Sequence, residues 1–294
     1  MPEWQGKSRG NKSGYRIFVA ICKTFGVRPA YALLRFVALY YFFFSPVTSR
    51  VLYWYFRHGH GYSKLKAVRS IYLNYYTFGQ TLIDKVVIMA GIGNSFSYHF
   101  DGEENLLEIA NGRRGGILLS AHIGNWEVAG HFLQRLNTNI HVVMFDGEHQ
   151  QIKDYLTEVT GERKFNVIVV RDDLSHVYAI GEALQKNELV CMHADRFIEG
   201  NKTRACKFLG KEALFPVGPF VLAGTFDVPV SIVFAFREPS DHYHFHGSRP
   251  ITRGETESKS DYIERLTGIF LHQMETKVRA YPEQWFNYYD FWAK

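Results

Sequence analysis

Residues 118–130, LLSAHIGNWEVAG, set His122 and Glu127 in an H-x4-E spacing. A neutral imidazole can accept a proton near physiological pH. A carboxylate close by can hold its second nitrogen, fix the tautomer and stabilise the imidazolium. Such a pair could activate a hydroxyl. The stretch has no G-x-S-x-G and no Cys beside His122. The attacking hydroxyl is therefore expected to belong to a substrate, with direct transfer. Each residue also has a plain structural reading. His122 suits a turn, Glu127 suits the first turn of a helix, where the macrodipole favours an acid, and Asn125 suits an N-cap. The residues alone leave both readings open.

The elements that must position them can be read from the pattern. An apolar run, 116–121, meets a helix-like run from Trp126 onward. That junction delivers a side chain to the carboxyl edge of an open α/β sheet, where such folds place their chemistry. Further strand-like runs cover 140–145, 166–170, 188–193 and 229–236, with helical patterns at 126–136, 149–160 and 174–185 between the first four. Helices are also expected over 63–92 and 260–280, a short helix or turn over 102–110, a hairpin over 205–215 around Gly210-Lys211, and an edge strand at 242–246. Strands alternating with helices predict an α/β fold with a largely parallel sheet flanked by helices.

The N-terminus differs from the rest. Residues 1–50 carry eight basic side chains against Glu3 alone, while the whole chain is only +5. Basicity so local suits an anionic surface and argues against nucleic acid. Residues 36–49 are uncharged and rich in aromatics, too short to span a bilayer, which takes about 20 apolar residues. No signal peptide is expected, because the apolar run comes late. Residues 1–58 are read as membrane-associating helices that dip into one leaflet, and 59–294 as the domain that carries the chemistry. A helical pair packed on the chain's own core, or a true span, would fit the same pattern. Cys22, Cys191 and Cys206 are odd in number and widely spaced, giving neither a disulfide framework nor a zinc spacing.

The segment GILLSAHIGNWEVAG, with Gly124, Asn125 and Trp126 between His122 and Glu127, resembles the first motif of the lysophospholipid acyltransferase superfamily, in its branch of late lipid A acyltransferases. Three more blocks follow in the order of that family: His193-Ala194-Asp195-Arg196 after an apolar run, Phe215-Pro216-Val217-Gly218-Pro219 with Ala223-Gly224, and Pro282-Glu283-Gln284-Trp285. The resemblance spans about 110–290. It implies a glycerol-3-phosphate-acyltransferase-like fold and transfer of an acyl group from a thioester to a lipid hydroxyl, with His122 and Glu127 catalytic. It also implies substrate contacts from Gly124, Asn125, Asp195, Arg196, Arg204, Phe215, Pro216 and Gly218. The implied donor is an acyl carrier protein in preference to coenzyme A, at the cytoplasmic face of an inner membrane, without metal or cofactor. The stretch 199–204 departs from the phosphate block of glycerolipid acyltransferases, which weighs against a lysophosphatidate acceptor.

Other residues invite chemistry. Lys202, Arg204, Lys207 and Lys211 form a basic stretch that could dock an acidic carrier protein or a lipid phosphate, and equally a solvated face. His242, His244 and His246 share one face of the edge strand, but no carboxylate or Cys accompanies them in that run, so no metal is expected there. An acyl-thioester hydrolase and a non-catalytic, membrane-associated lipid-binding protein stand as alternatives to the acyltransferase.

Overall fold

The computed structural model describes residues 12–92, 96–145, 165–171, 173–198 and 200–292. The described residues begin with helices α1 (Lys12–Phe25), α2 (Val27–Phe44) and α3 (Pro46–Trp54), then a π turn at Tyr55–Gly59. Helix α4 (Lys64–Met89) follows, started by Ser63, whose side chain accepts from the Lys66 N–H. The core is then built by β1 (Ser97–Asp101), α5 (Glu103–Asn111), β2 (Gly116–Ser120), α6 (Trp126–Phe132), β3 (Ile140–Phe145) and β4 (Asn166–Val170). After these come α7 (Ser175–Gln185), β5 (Leu189–His193), the hairpin β6 (Thr203–Phe208) and β7 (Lys211–Pro216), and α8 (Gly218–Phe226). The chain closes with β8 (Val230–Glu238), β9 (His242–Gly247), α9 (Lys259–Ala280) and a 3-10 turn at Pro282–Gln284.

The main sheet has seven strands in the order β1-β9-β8-β2-β5-β3-β4. Strands β8, β2, β5, β3 and β4 run parallel, whereas β9 is antiparallel to β8 and parallel to β1. This is the expected largely parallel α/β sheet flanked by helices. Strand β2 is buried at every position, which is why its sequence does not alternate and is apolar up to Ser120, whose hydroxyl donates to the Val233 carbonyl. The hairpin turns on Leu209 and Gly210, both at positive φ, as a two-residue turn demands. The helix expected at 149–160 lies outside the described residues.

Two elements were not anticipated. Strand β1 is short and lies at the edge of the sheet, with no fully buried position. The Pro/Gly block opens helix α8, which starts with Pro219 in its first turn and buries Phe220, Ala223 and Gly224.

The N-terminal helices share the core of the chain. Helix α2 lays Val27, Ala30, Tyr31, Leu34 and Ala38 inward, and Leu34 covers Gly79 of α4, where a Cβ would stand 2.3 Å from its Cδ1. Its other stripe, Phe36, Leu39, Tyr40, Phe43 and Phe44, is exposed. Helix α2 is long and apolar enough to cross a membrane by length and composition.

Candidate active site

His122 leaves β2 through Ala121 and is the first polar side chain beyond the buried strand. The loop behind it is fixed on three sides. Gly124 adopts φ +66°, and a Cβ there would meet the Ala235 carbonyl oxygen at 2.0 Å, so only glycine fits. Its N–H donates to the Gln284 carbonyl (2.8 Å), and the Asn125 N–H to the Ala235 carbonyl (2.8 Å). Asn125 caps α6 by accepting from the Val128 N–H, while its amide donates to the Thr81 carbonyl (3.1 Å) and the Tyr243 hydroxyl (3.0 Å). The asparagine is thus both an N-cap and a buried tie between three elements.

The block Pro282-Glu283-Gln284-Trp285 is the third side. Trp285 forms a bridge with Ile123, and the Phe286 N–H reaches the His122 carbonyl (3.4 Å). Gln284 bonds both backbone groups of Arg237, accepting at 3.0 Å and donating at 2.6 Å. Asn74 of α4 donates to the carbonyls of Glu283 (3.0 Å) and Trp285 (3.1 Å). This segment therefore clamps the histidine loop against β8 and α4.

His122 is held by Asp195, which follows β5. Its Nδ1 lies 2.8 Å from Asp195 Oδ1, and its backbone N–H donates to Oδ2 at 3.0 Å. Asp195 is 1% exposed. Burial alone would push its carboxyl up, but the His122 imidazole, its hydrogen bond, Arg196 and His193 outweigh burial and hold it well below the usual range. An ionised Asp195 can only accept. Nδ1 of His122 therefore carries a proton, and in the neutral imidazole the lone pair is the one on Nε2.

His193 lies beside this pair, its ring 4.2 Å from that of His122 and 4.8 Å from Trp126. Burial, His122 and Arg196 lower its pKa well below the ordinary histidine value, against a weaker opposing pull from Asp195. It is neutral, and its Nδ1 is buried without a hydrogen-bond partner among the described residues. His122, His193 and Asp195 could also together hold a metal ion.

The remaining sequence candidates are distributed. Glu127, in the first turn of α6, forms a largely buried ion pair with Lys85 of α4, the two side chains being 18% and 9% exposed. Arg196 donates to the Phe286 carbonyl (2.8 Å), which places it on the clamp. Arg204 on β6 pairs with Glu264 at the surface (3.2 Å). Phe215 is wholly buried, edge-on to Phe208 and Phe291. Pro216 ends β7 and Gly218 begins α8. Two clefts of about 560 and 310 Å³ are lined by β1, β8, β9 and α9, and by α4, Arg237 and Tyr281; neither includes His122.

Lys85, His193 and the clamping role of Gln284 were missed from sequence. Lys85 and Asp84 did leave a signal, as two adjacent charges inside the apolar helical run TLIDKVVIM.

The profile described as bacterial lipid A biosynthesis acyltransferase matches residues 74–293. Among solved structures, the chain is similar to the 1-acyl-sn-glycerophosphate (LPA) acyltransferase PlsC from Thermotoga maritima, at 12% identity and a TM-score of 0.44, over 85% of this chain and 98% of that one. No curated protein matches.

Proposed function

We propose that this chain, which belongs to the bacterial lipid A biosynthesis acyltransferase family, moves a fatty acyl group from an acyl-carrier-protein thioester to a hydroxyl of an amphipathic lipid. The observation that carries the mechanism is the His122–Asp195 contact beyond the carboxyl end of β2. In this reading Nε2 of His122 takes the proton of the acceptor hydroxyl while Asp195 stabilises the imidazolium. The acceptor oxygen attacks the thioester carbonyl and forms a tetrahedral oxyanion. Collapse makes the ester, and His122 returns the proton to the departing thiolate. The N–H groups of Gly124, Asn125 and Val128 are already bonded, so we assign the oxyanion to the backbone donors of Trp126 and Glu127. Glu127 then acts through its own backbone N–H and through the Lys85 pair that anchors α6. Lys202, Arg204, Lys207 and Lys211 are all exposed on or beside the β6–β7 hairpin, and their charge fits an acidic carrier protein.

Mass spectrometry tests the reading directly. Wild-type protein with acyl-carrier-protein thioester and a bacterial lipid extract is expected to give a new acylated lipid, and His122→Ala to give none. Thioester loss with only free fatty acid would turn the reading to a hydrolase. No consumption with either a carrier-protein or a coenzyme A donor would turn it to a binding protein.

Family members act at membranes, and we propose the cytoplasmic face of an inner membrane as the site of action here. Helix α2 has one stripe committed to α4 and another of exposed aromatics, which favours a helix lying in the interface over one that spans it. Replacing Phe36, Phe43 and Phe44 by Ser is expected to weaken flotation with anionic vesicles by roughly tenfold per residue, since burying one phenylalanine contributes about 1.5–3 kcal/mol. Unchanged flotation would remove this helix from the interface.

A further inference from the structure

We propose a metal site, outside the candidate active site, in which His99 and Asp101 of β1 and His244 of β9 hold a divalent ion of the zinc class. The three histidines of β9 lacked a carboxylate companion in their own run. The sheet supplies it, because parallel pairing sets His99 opposite His244 and Asp101 opposite His246. Asp101 Oδ1 lies 3.0 Å from His99 Nε2, and Oδ2 lies 2.7 Å from His244 Nε2. One ligand atom from each of the three falls within 4.8 Å of the others. Tetrahedral bonds near 2.1 Å need a spacing of roughly 3.4 Å. Closing that gap asks only for rotation of open side chains, since His99 is 60% and Asp101 54% exposed.

His244 gives the stronger argument. Its Nε2 faces Asp101, and its Nδ1 lies 3.3 Å from Glu238 Oε1. A neutral imidazole has one N–H and one lone pair. Between two carboxylates, one lone pair would therefore face an anion unless a positive charge sits there, either a second proton or a metal. A metal on Nε2 leaves Nδ1–H to donate to Glu238, the carboxylate–histidine–metal arrangement that orients a ligand from behind. Glu238 is itself held by the Tyr281 hydroxyl at 2.6 Å. Two imidazoles and one carboxylate suit zinc, with an open position for water. Asp101 and His246 also line the cleft of about 560 Å³, which gives an ion a path in. His246 Nδ1, 3.5 Å from Asp101 Oδ2, stands beside the three. The ion would staple the edge strand β1 to β9.

The test is a zinc titration of the full chain, stripped with a chelator, against a chromophoric competitor. Wild type and His122→Ala are each expected to keep one tight equivalent. Asp101→Asn and His99→Ala are expected to lose it by at least about 100-fold, and Glu238→Gln to weaken it by about 10–100-fold. Circular dichroism of each variant checks that the fold is retained. The proposal is overturned if Asp101→Asn and His99→Ala bind like wild type. It is also overturned if wild type binds no zinc at micromolar concentration, or if His122→Ala removes the equivalent, which would place the ion at the candidate active site.

Discussion

Asp195→Asn lowers kcat/KM by about 10³–10⁴-fold with the chain still folded, while Glu127→Gln costs at least tenfold less. A neutral amide can present its NH₂ to Nδ1, which then accepts and forces the proton onto Nε2. Under the proposed mechanism the base is then lost to the wrong tautomer, and the matching change in Ser–His–Asp hydrolases costs about 10⁴. Glu127 instead faces Lys85, so Glu127→Gln chiefly leaves a largely buried ammonium without its anion. Its expected signature is instability, relieved in the double variant Lys85→Met/Glu127→Gln. The pH dependence follows from Asp195. Its carboxyl in the folded chain is held below the ordinary value of 3.8. Its contribution to stability is therefore complete above about pH 5 and is lost progressively as the pH falls from there to the depressed value. Steady-state kinetics on the two single variants decide the matter. The reverse order of loss would give the orientation of His122 to Glu127.

The local part of this site was legible in the sequence, and the distant part was not. An apolar run, a histidine, a glycine and a capping asparagine over 116–126 specify a strand, a turn and a helix from neighbouring residues alone, and the chain builds them. The carboxylate on Nδ1 comes from a position 73 residues away. An H-x4-E spacing invites the nearer acid, and only the pairing of β2 with β5 brings Ser120 opposite His193, and with it Asp195 toward His122. Gln284 makes the same point, since nothing in Pro282-Glu283-Gln284-Trp285 says which backbone it will bond. Strand β1 escaped because SYHFD has no buried face to impose a pattern. Helix α8 escaped because GPFVLAGTF is apolar on every side, with glycines that weaken helix propensity.

Asp84→Asn destabilises the chain by about 3–5 kcal/mol, the largest stability loss expected of any single conservative change here. Asp84 is fully buried and accepts from Arg237 Nε (2.9 Å), from the Tyr243 hydroxyl (2.6 Å) and from the Tyr31 hydroxyl. Burial pushes its carboxyl up to about 6, and Arg237 with the two hydroxyls offsets enough of that cost to keep it charged at neutral pH. Arg237, itself mostly buried, turns its Nη2 toward both Asp241 (2.6 Å) and the Tyr31 hydroxyl (3.4 Å). The amide keeps the shape but removes the charge, which leaves the guanidinium underpaired in a low-dielectric site. The cluster joins α2, α4, β8 and β9, and through Tyr243 it reaches Asn125 beside His122. Loosening it frees the docking of α2 and the loop of the candidate active site together. For a chain of this size the loss corresponds to a fall in Tm of about 5–8 °C. Asp84→Leu combined with Arg237→Met is expected to recover part of it, because neither of these two charges is then left without the other, although Asp241 loses its guanidinium partner. Thermal melts of the three variants give the answer. A shift of only a degree or two for Asp84→Asn would mean the cluster holds nothing together, and an unrepaired double variant would mean the hydroxyl bonds, not the ion pair, carry the stability.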